Sequence, residues 1–338
     1  MARVGDSSRI IGLAMLVLAT GCGRSPAPCP EFSPRNSGDP ISLESLACFT
    51  RFDGPVFRDH IPGENYQVAS DAHVFVDEGG VLRMVYTGDF EGRASIKLAT
   101  GEDWDLWAAT ETLIAGTEPA QALFKETAFY RLADSGSHQV FFIGYADEET
   151  YQSQIFMAEA DSLLGPYEIR PDPIVTRGEQ DGRDVYLMTS PTVNDHEGTL
   201  FMSYLAWNDA PSRVTEVWVM AVTSLDDGQT WSDPREVEVP IGMEGQVTQG
   251  PDGRYYAVSV QEVSRGREGI FLGVAEHPLG PYVSLEEPVL VQAGRPYELH
   301  EANAPMVIFD EPNRMAYLYY VGANYWRGWW IMAAYTRY

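Results

Sequence analysis

Carboxylic acids recur along this 338-residue chain at intervals that a folded polymer can bring together. Asp71 (in DAHVFVD), Glu126 (ETAFYRL) and Glu244 (EGQVTQ) each precede a short apolar run. Ser190 (SPTVND) and Ala304 (APMVIFD) hold the same place in two further runs. Two carboxyl groups at one place, one protonated and one ionised, can do acid–base chemistry. One gives a proton to a leaving group while the other takes a proton from an attacking water.

The elements that must bring these residues together are themselves repetitive. The five anchors are separated by 55, 64, 54 and 60 residues. After each comes a turn and a second apolar run rich in aromatics: VLRMVYTG, QVFFIGY, TLFMSYLAW, RYYAVSV and MAYLYYVG. A strand-only repeat of this length predicts an all-β, five-bladed β-propeller with four antiparallel strands per blade. The innermost strands of such blades line one channel, so residues that open them meet in space. The fifth repeat stops after three strands. The segment Phe49–Phe57 is predicted to supply the fourth and so cover both open edges. The segment Ser224 to Trp231 has the Asp-box pattern Ser-x-Asp-x-Gly-x-Thr-Trp, read as a structural turn at a blade periphery.

Composition narrows the partner. The chain is 44% hydrophobic, enough for a large core, and carries a formal net charge of −26. That surface repels nucleic acid and anionic membranes and suits a neutral ligand. Residues 1–21 read as a targeting segment, with an apolar run from Ile10 to Thr20 too short for a comfortable span. Ala19-Thr20-Gly21-Cys22 resembles a bacterial lipobox, which implies lipidation at Cys22. Residues 22–44 then form a lipidated tether and residues 45–338 the propeller. The expectation is a monomer on the bacterial cell envelope that meets the membrane through its lipid only. Export permits a disulfide between Cys29 and Cys48.

Five repeats, an Asp opening the first and Glu-Gly opening the fourth resemble the five-bladed glycosidases of glycoside hydrolase family 43 and their invertase-type relatives. The likeness spans about residues 45–338, and order and spacing carry it more than any one motif. It implies hydrolysis of O-glycosyl bonds, with Asp71 as general base, Glu244 as general acid, and an Asp of the middle blade tuning the acid. Inverting enzymes of this kind hold their carboxyls roughly 6.5–9.5 Å apart to admit a water. The chain departs from the pattern at the middle blade, where Ser190 stands. The third carboxylate is then Glu126, or Asp184 or Asp195 from a loop, or catalysis is lost and sugar binding kept.

Sugar sites also need aromatic platforms and forked donors. Trp207, Trp326, Tyr145 and Tyr325 fall near the ends of second strands, and Arg183 and Arg265 on loops. Ser190, His300 and Glu301 are further substrate-contact candidates. Trp218, Trp329 and Trp330 are expected to fill gaps between blades. No cofactor is required, and a structural calcium or sodium ion in the channel is left open. The competing readings are a non-catalytic sugar-binding lipoprotein and a sialidase-like enzyme. The sialidase reading is the weaker, because sialidases resemble six-bladed propellers with an arginine triad and no Arg stands at these anchors.

Overall fold

A computed structural model describes residues 41–59, 67–90, 93–116, 124–145, 153–210, 213–237, 245–264 and 266–338. Among them the regular structure is all-β apart from one 3-10 turn, Leu43–Leu46. The strands form successive antiparallel groups. The first is β2 (Gln67–Val76), β3 (Leu82–Phe90), β4 (Arg93–Asp103) and β5 (Leu106–Ile114), preceded by β1 (Thr50–Arg51). The second is β6 (Phe124–Leu132), β7 (His138–Tyr145), β8 (Ser153–Ala160) and β9 (Glu168–Ile169). A small hairpin, β10 (Gly178–Gln180) and β11 (Arg183–Val185), leads to the third: β12 (Leu187–His196), β13 (Thr199–Ala210), β14 (Arg213–Ser224) and β15 (Arg235–Glu236). The fourth is β16 (Val247–Gln249), β17 (Tyr255–Ser264) and β18 (Arg267–Ala275), with β19 (Val283–Ser284) and β20 (Leu290–Val291) both on β18. The last is β21 (Glu301–Asp310), β22 (Met315–Asn324) and β23 (Gly328–Arg337).

The first strands of the groups neighbour one another in a closed order: β2 with β6, β6 with β12, β12 with β16, β16 with β21, and β21 with β2. Core clusters sit between adjacent groups. One joins Val85 and Leu98 to Val140 and Phe142, and another joins Phe141 and Ile155 to Val193 and Met202. The second strands thus bury residues on both faces, which is why they read as near-continuous apolar runs.

The open edge of β23 is covered by the N-terminal segment. Thr50 and Arg51 pair antiparallel with Tyr335 and Ala334, Phe57 bridges Ile331, and Val68 of β2 pairs in parallel with Trp329. The missing strand therefore comes from the predicted segment. Packing begins ahead of the boundary expected at residue 45. Ile41 is buried, its N–H donates to Asp252, and Arg254 donates to its carbonyl. Cys48 is disulfide-bonded, and its partner lies outside the described residues. The Asp box is a turn that ties two groups. Asp226 accepts from Thr230 N and Oγ1, and Asp227 pairs with Arg131 of the second group at 2.5 Å.

Asp71, Glu126, Ser190 and Ala304 differ from expectation in one respect. They do not open their strands; they sit inside them, at bulges. In β2 the pairing slips between Ser70 and His73, in β12 between Thr189 and Thr192, and in β21 between Asn303 and Met306. At each slip the anchor has a left-handed backbone: φ is 51° at Asp71, 54° at Ser190 and 44° at Ala304. Asp tolerates that region best of the three, and Ala carries the full Cβ penalty. A bulge turns the chain and re-aims a side chain, and such strained positions gather at functional sites. β6 slips between Glu126 and Ala128. In the fourth group Gly245 lies flat on β17. A Cβ there would sit 1.7 Å from the Val258 carbonyl oxygen, so only glycine fits after residue 244.

Opposite three of the bulges stands a buried tyrosine with a fixed hydroxyl. Tyr86 donates to Asp59, which also holds Lys97. Tyr204 donates to Gln180 at 2.7 Å, and Tyr320 to Glu298 at 2.7 Å. Glu298 is fully buried and is neutralised by Arg51 at 3.1 Å. The strand completing the last group thus carries the cation that this buried carboxylate requires.

Candidate active site

The kinks at Asp71 and Ser190 face one cavity of about 280 Å³. Its wall is completed by Ser70 of β2, Tyr145 of the second group, Thr189 of β12, and Asn303 and Trp329 of the last group. Residues up to 261 positions apart in sequence therefore share one chamber. The Asp71 carboxylate accepts a hydrogen bond from Ser70 Oγ at 2.8 Å, which fixes its orientation.

Glu301 organises the opposite side. Its Oε2 accepts from Asn303 Nδ2 at 2.9 Å and from Trp329 Nε1 at 3.3 Å, and both donors line the cavity. Its Oε1 accepts from the Tyr325 hydroxyl. The Tyr325 ring stacks on His300 at 4.3 Å and 4°, and Tyr325 N–H donates to His300 Nδ1 at 3.1 Å. His300 and Glu301 thus act behind the wall and on its rim.

Beneath the kink, His73 joins the first group to the fourth. Its Nδ1 lies 3.2 Å from Gln246 Oε1, and Gln246 Nε2 donates to the Ala72 carbonyl at 3.2 Å. Burial lowers the His73 pKa to about 4, against the opposing pull of the Gln246 hydrogen bond, so the ring is neutral at pH 7.

The other sequence candidates divide. Trp207 is buried, and its Nε1 donates to Thr189 Oγ1 at 3.3 Å, bracing a wall residue from behind. Trp326 is 84% exposed on the β22–β23 turn. Arg183 is not in the cavity wall: it grips Glu236 at 2.8 Å and lies over the Trp218 ring. Asp195 caps the turn at Gly198, at the far end of β12, and neither it nor Asp184 lines the cavity. Trp329 packs against the core between the first and last groups, as expected, and also lines the cavity, and Trp330 is buried in the core as expected. Glu244, Cys22 and the Glu126 side chain lie outside the described residues.

Glu268 has no counterpart among the sequence candidates. It is the second residue of β18, and its Oε2 accepts from Ala302 N–H at 2.7 Å, between Glu301 and Asn303. Burial pushes its pKa up, the neighbouring Glu301 and Glu262 add to this, and the Ala302 bond opposes it. Glu-Gly occurs five times along the chain, so Glu268-Gly269 carried no distinguishing signal in the sequence. Among the described residues no group of three or more His, Cys, Asp or Glu could hold a metal ion.

The architecture is shared with carbohydrate-active proteins of known structure. The chain superposes on a protein described as a glycoside hydrolase with a TM-score of 0.66 and 15% identity, covering 86% of this chain and 93% of that one. It matches the GH43_1 enzyme from Xanthomonas citri complexed with xylotriose (TM-score 0.60, 15% identity, 86% and 92% covered). It also matches an N-acetylgalactosamine deacetylase from F. plautii in complex with blood group B trisaccharide (TM-score 0.63, 11% identity, 85% and 95% covered). At these identities the likeness establishes the fold. No protein-family model and no curated protein matches the chain.

Proposed function

We propose that the protein is a glycoside hydrolase acting on a neutral oligo- or polysaccharide, built as a five-bladed β-propeller and anchored to a bacterial cell envelope through lipid on Cys22. The observation that carries this reading is the cavity shared by Asp71 and Ser190, with tyrosine and tryptophan in its wall. A sugar ring offers hydroxyls to polar groups and an apolar face to aromatic ones, and this wall supplies both.

In the reaction Asp71 takes a proton from the attacking water. Glu244 protonates the glycosidic oxygen as the bond to the anomeric carbon breaks. The attack comes from the face opposite the leaving group, so configuration is inverted. Ser190 hydrogen-bonds a sugar hydroxyl. Glu126 supplies the third carboxylate, and His300, Glu301, Trp207 and Trp326 shape the walls and rim. Residues 1–21 are the signal, 22–44 the tether, whose end from Ile41 onward already packs on the domain, and 45–338 the catalytic domain of a monomer.

A second reading rests on Ser190. A hydroxyl cannot supply the charge that the resemblance puts there, which favours a propeller that binds sugar without cleaving it. A hydrolysis screen on aryl arabinosides, xylosides, galactosides and fructans separates the two, with Asp71→Asn and Glu244→Gln as controls. Turnover lost in both variants supports the hydrolase. Binding without turnover supports the lectin. Equal turnover in all three proteins removes the site.

A further inference from the structure

The tip of the β22–β23 hairpin is more ordered than an exposed turn requires. Trp326 is 84% exposed and Tyr325 51% exposed, side by side. Isolated surface aromatics are common and carry no message. The Trp326 backbone and the Tyr325 ring are held in place. Asn324 Oδ1 accepts from Trp326 N–H at 3.1 Å, and Asn324 Nδ2 donates to the Pro296 carbonyl at 3.0 Å. Tyr325 is clamped between the His300 ring and Glu301. The same Glu301 carboxylate holds Asn303 and Trp329 in the cavity wall. One side chain therefore sets both the inner wall and Tyr325, the neighbour of Trp326.

We propose that this hairpin is a second sugar subsite, in which Trp326 stacks on the ring next to the one held in the cavity. The substrate is then a chain of at least two sugars. This rests on the reading of the Asp71 cavity as a sugar site. The chemistry fits a neutral carbohydrate. An exposed indole offers a flat face to the axial C–H groups of a ring, at little entropic cost because the turn is already fixed. Glu301 acts here as a positioning residue, because its carboxylate is occupied by donors from the wall and the tip.

The test uses the full chain and two matched probe pairs, xylose with xylotriose and arabinose with arabinotriose, titrated calorimetrically into wild type, Trp326→Ala, Trp326→Phe and Asp71→Asn. Wild type should bind the trisaccharide of one pair about tenfold more tightly than its monosaccharide, the scale of one aromatic stacking contact. Trp326→Ala should reduce that ratio to near one, and Trp326→Phe should restore most of it. An unchanged ratio in Trp326→Ala overturns the subsite. If Asp71→Asn has meanwhile lost hydrolysis, the enzyme reading stands without it. A ratio that collapses in Trp326→Ala, in a protein that cleaves nothing, keeps the subsite and rejects the hydrolase. Failure of wild type to bind any of the four probes overturns the inference.

Discussion

The first and third inner strands make the same backbone kink with different side chains. Asp71 and Ser190 have φ of 51° and 54°, both sit in a bulge opposite a buried tyrosine, and both face the same cavity. Two residues further on, β2 carries His73 and β12 carries Thr192, both buried. Behind the first kink, Tyr86 meets the charged pair Asp59 and Lys97; behind the third, Tyr204 meets the neutral Gln180. Geometry is thus repeated while charge is not. The fold supplies equivalent stations around the cavity, and the residue at each station decides what it does.

The largest expected contrast is in turnover. Asp71→Asn keeps a residue type that accepts the left-handed backbone, so its effect reports the carboxylate. Loss of a general base should lower kcat about 10²–10⁴-fold. Ser190→Ala, which removes one hydrogen bond, should cost about tenfold or less. Rates measured on the best aryl glycoside of the screen check both. Similar losses in the two variants would erase the distinction between the kinks.

The networks behind the kinks should differ in stability. Lys97→Met leaves the buried Asp59 carboxylate without its cation and should cost about 3 kcal/mol in chemical denaturation. Gln180→Ala leaves the Tyr204 hydroxyl without its acceptor and should cost about 1–2 kcal/mol.

His73 makes the first strand sensitive to pH. Its folded-state pKa of about 4 lies below the ordinary 6.5, so the folded protein binds fewer protons than the unfolded chain. Its contribution is present in full above pH 6.5 and is lost as pH falls from 6.5 towards 4, by roughly 3 kcal/mol in all. Denaturation midpoints measured across that window should slope in wild type and flatten in His73→Gln.

The smallest effect belongs to the last kink. Ala304 has φ of 44° with no side-chain compensation. Ala304→Gly removes a penalty of about 1–2 kcal/mol and adds about 0.5–1 of chain entropy, for a net gain between about 0 and 1.5 kcal/mol in thermal unfolding.

Much of this was legible in the chain. The recurrence of apolar runs at about 60 residues located every group of strands. The absence of a fourth strand in the last repeat pointed to Phe49–Phe57, because an uncovered edge must be paired or protected. What sequence hid depends on contacts across strands. Asp71 reads as a strand start because a bulge is a property of two paired strands, and the three residues before it carry no sign of pairing. Glu268 and Ala302 meet only because the third strand of one group leans on the first strand of the next. Arg183 reads as a free forked donor until Glu236 is seen beside it. Trp326 and Trp329 lie three residues apart in one hairpin, and their different fates, rim and cavity wall, follow from the turn between them.

The central claim is that Asp71 and Ser190, 119 residues apart, act on one sugar ring. A crystal structure of Asp71→Asn soaked with the saccharide that wild type turns over or binds best tests it most directly. The account predicts a ring in the 280 Å³ cavity with hydroxyl oxygens within hydrogen-bond distance of Asn at position 71 and of Ser190 Oγ. A ring bound elsewhere on the protein, with the cavity holding only water, would contradict it.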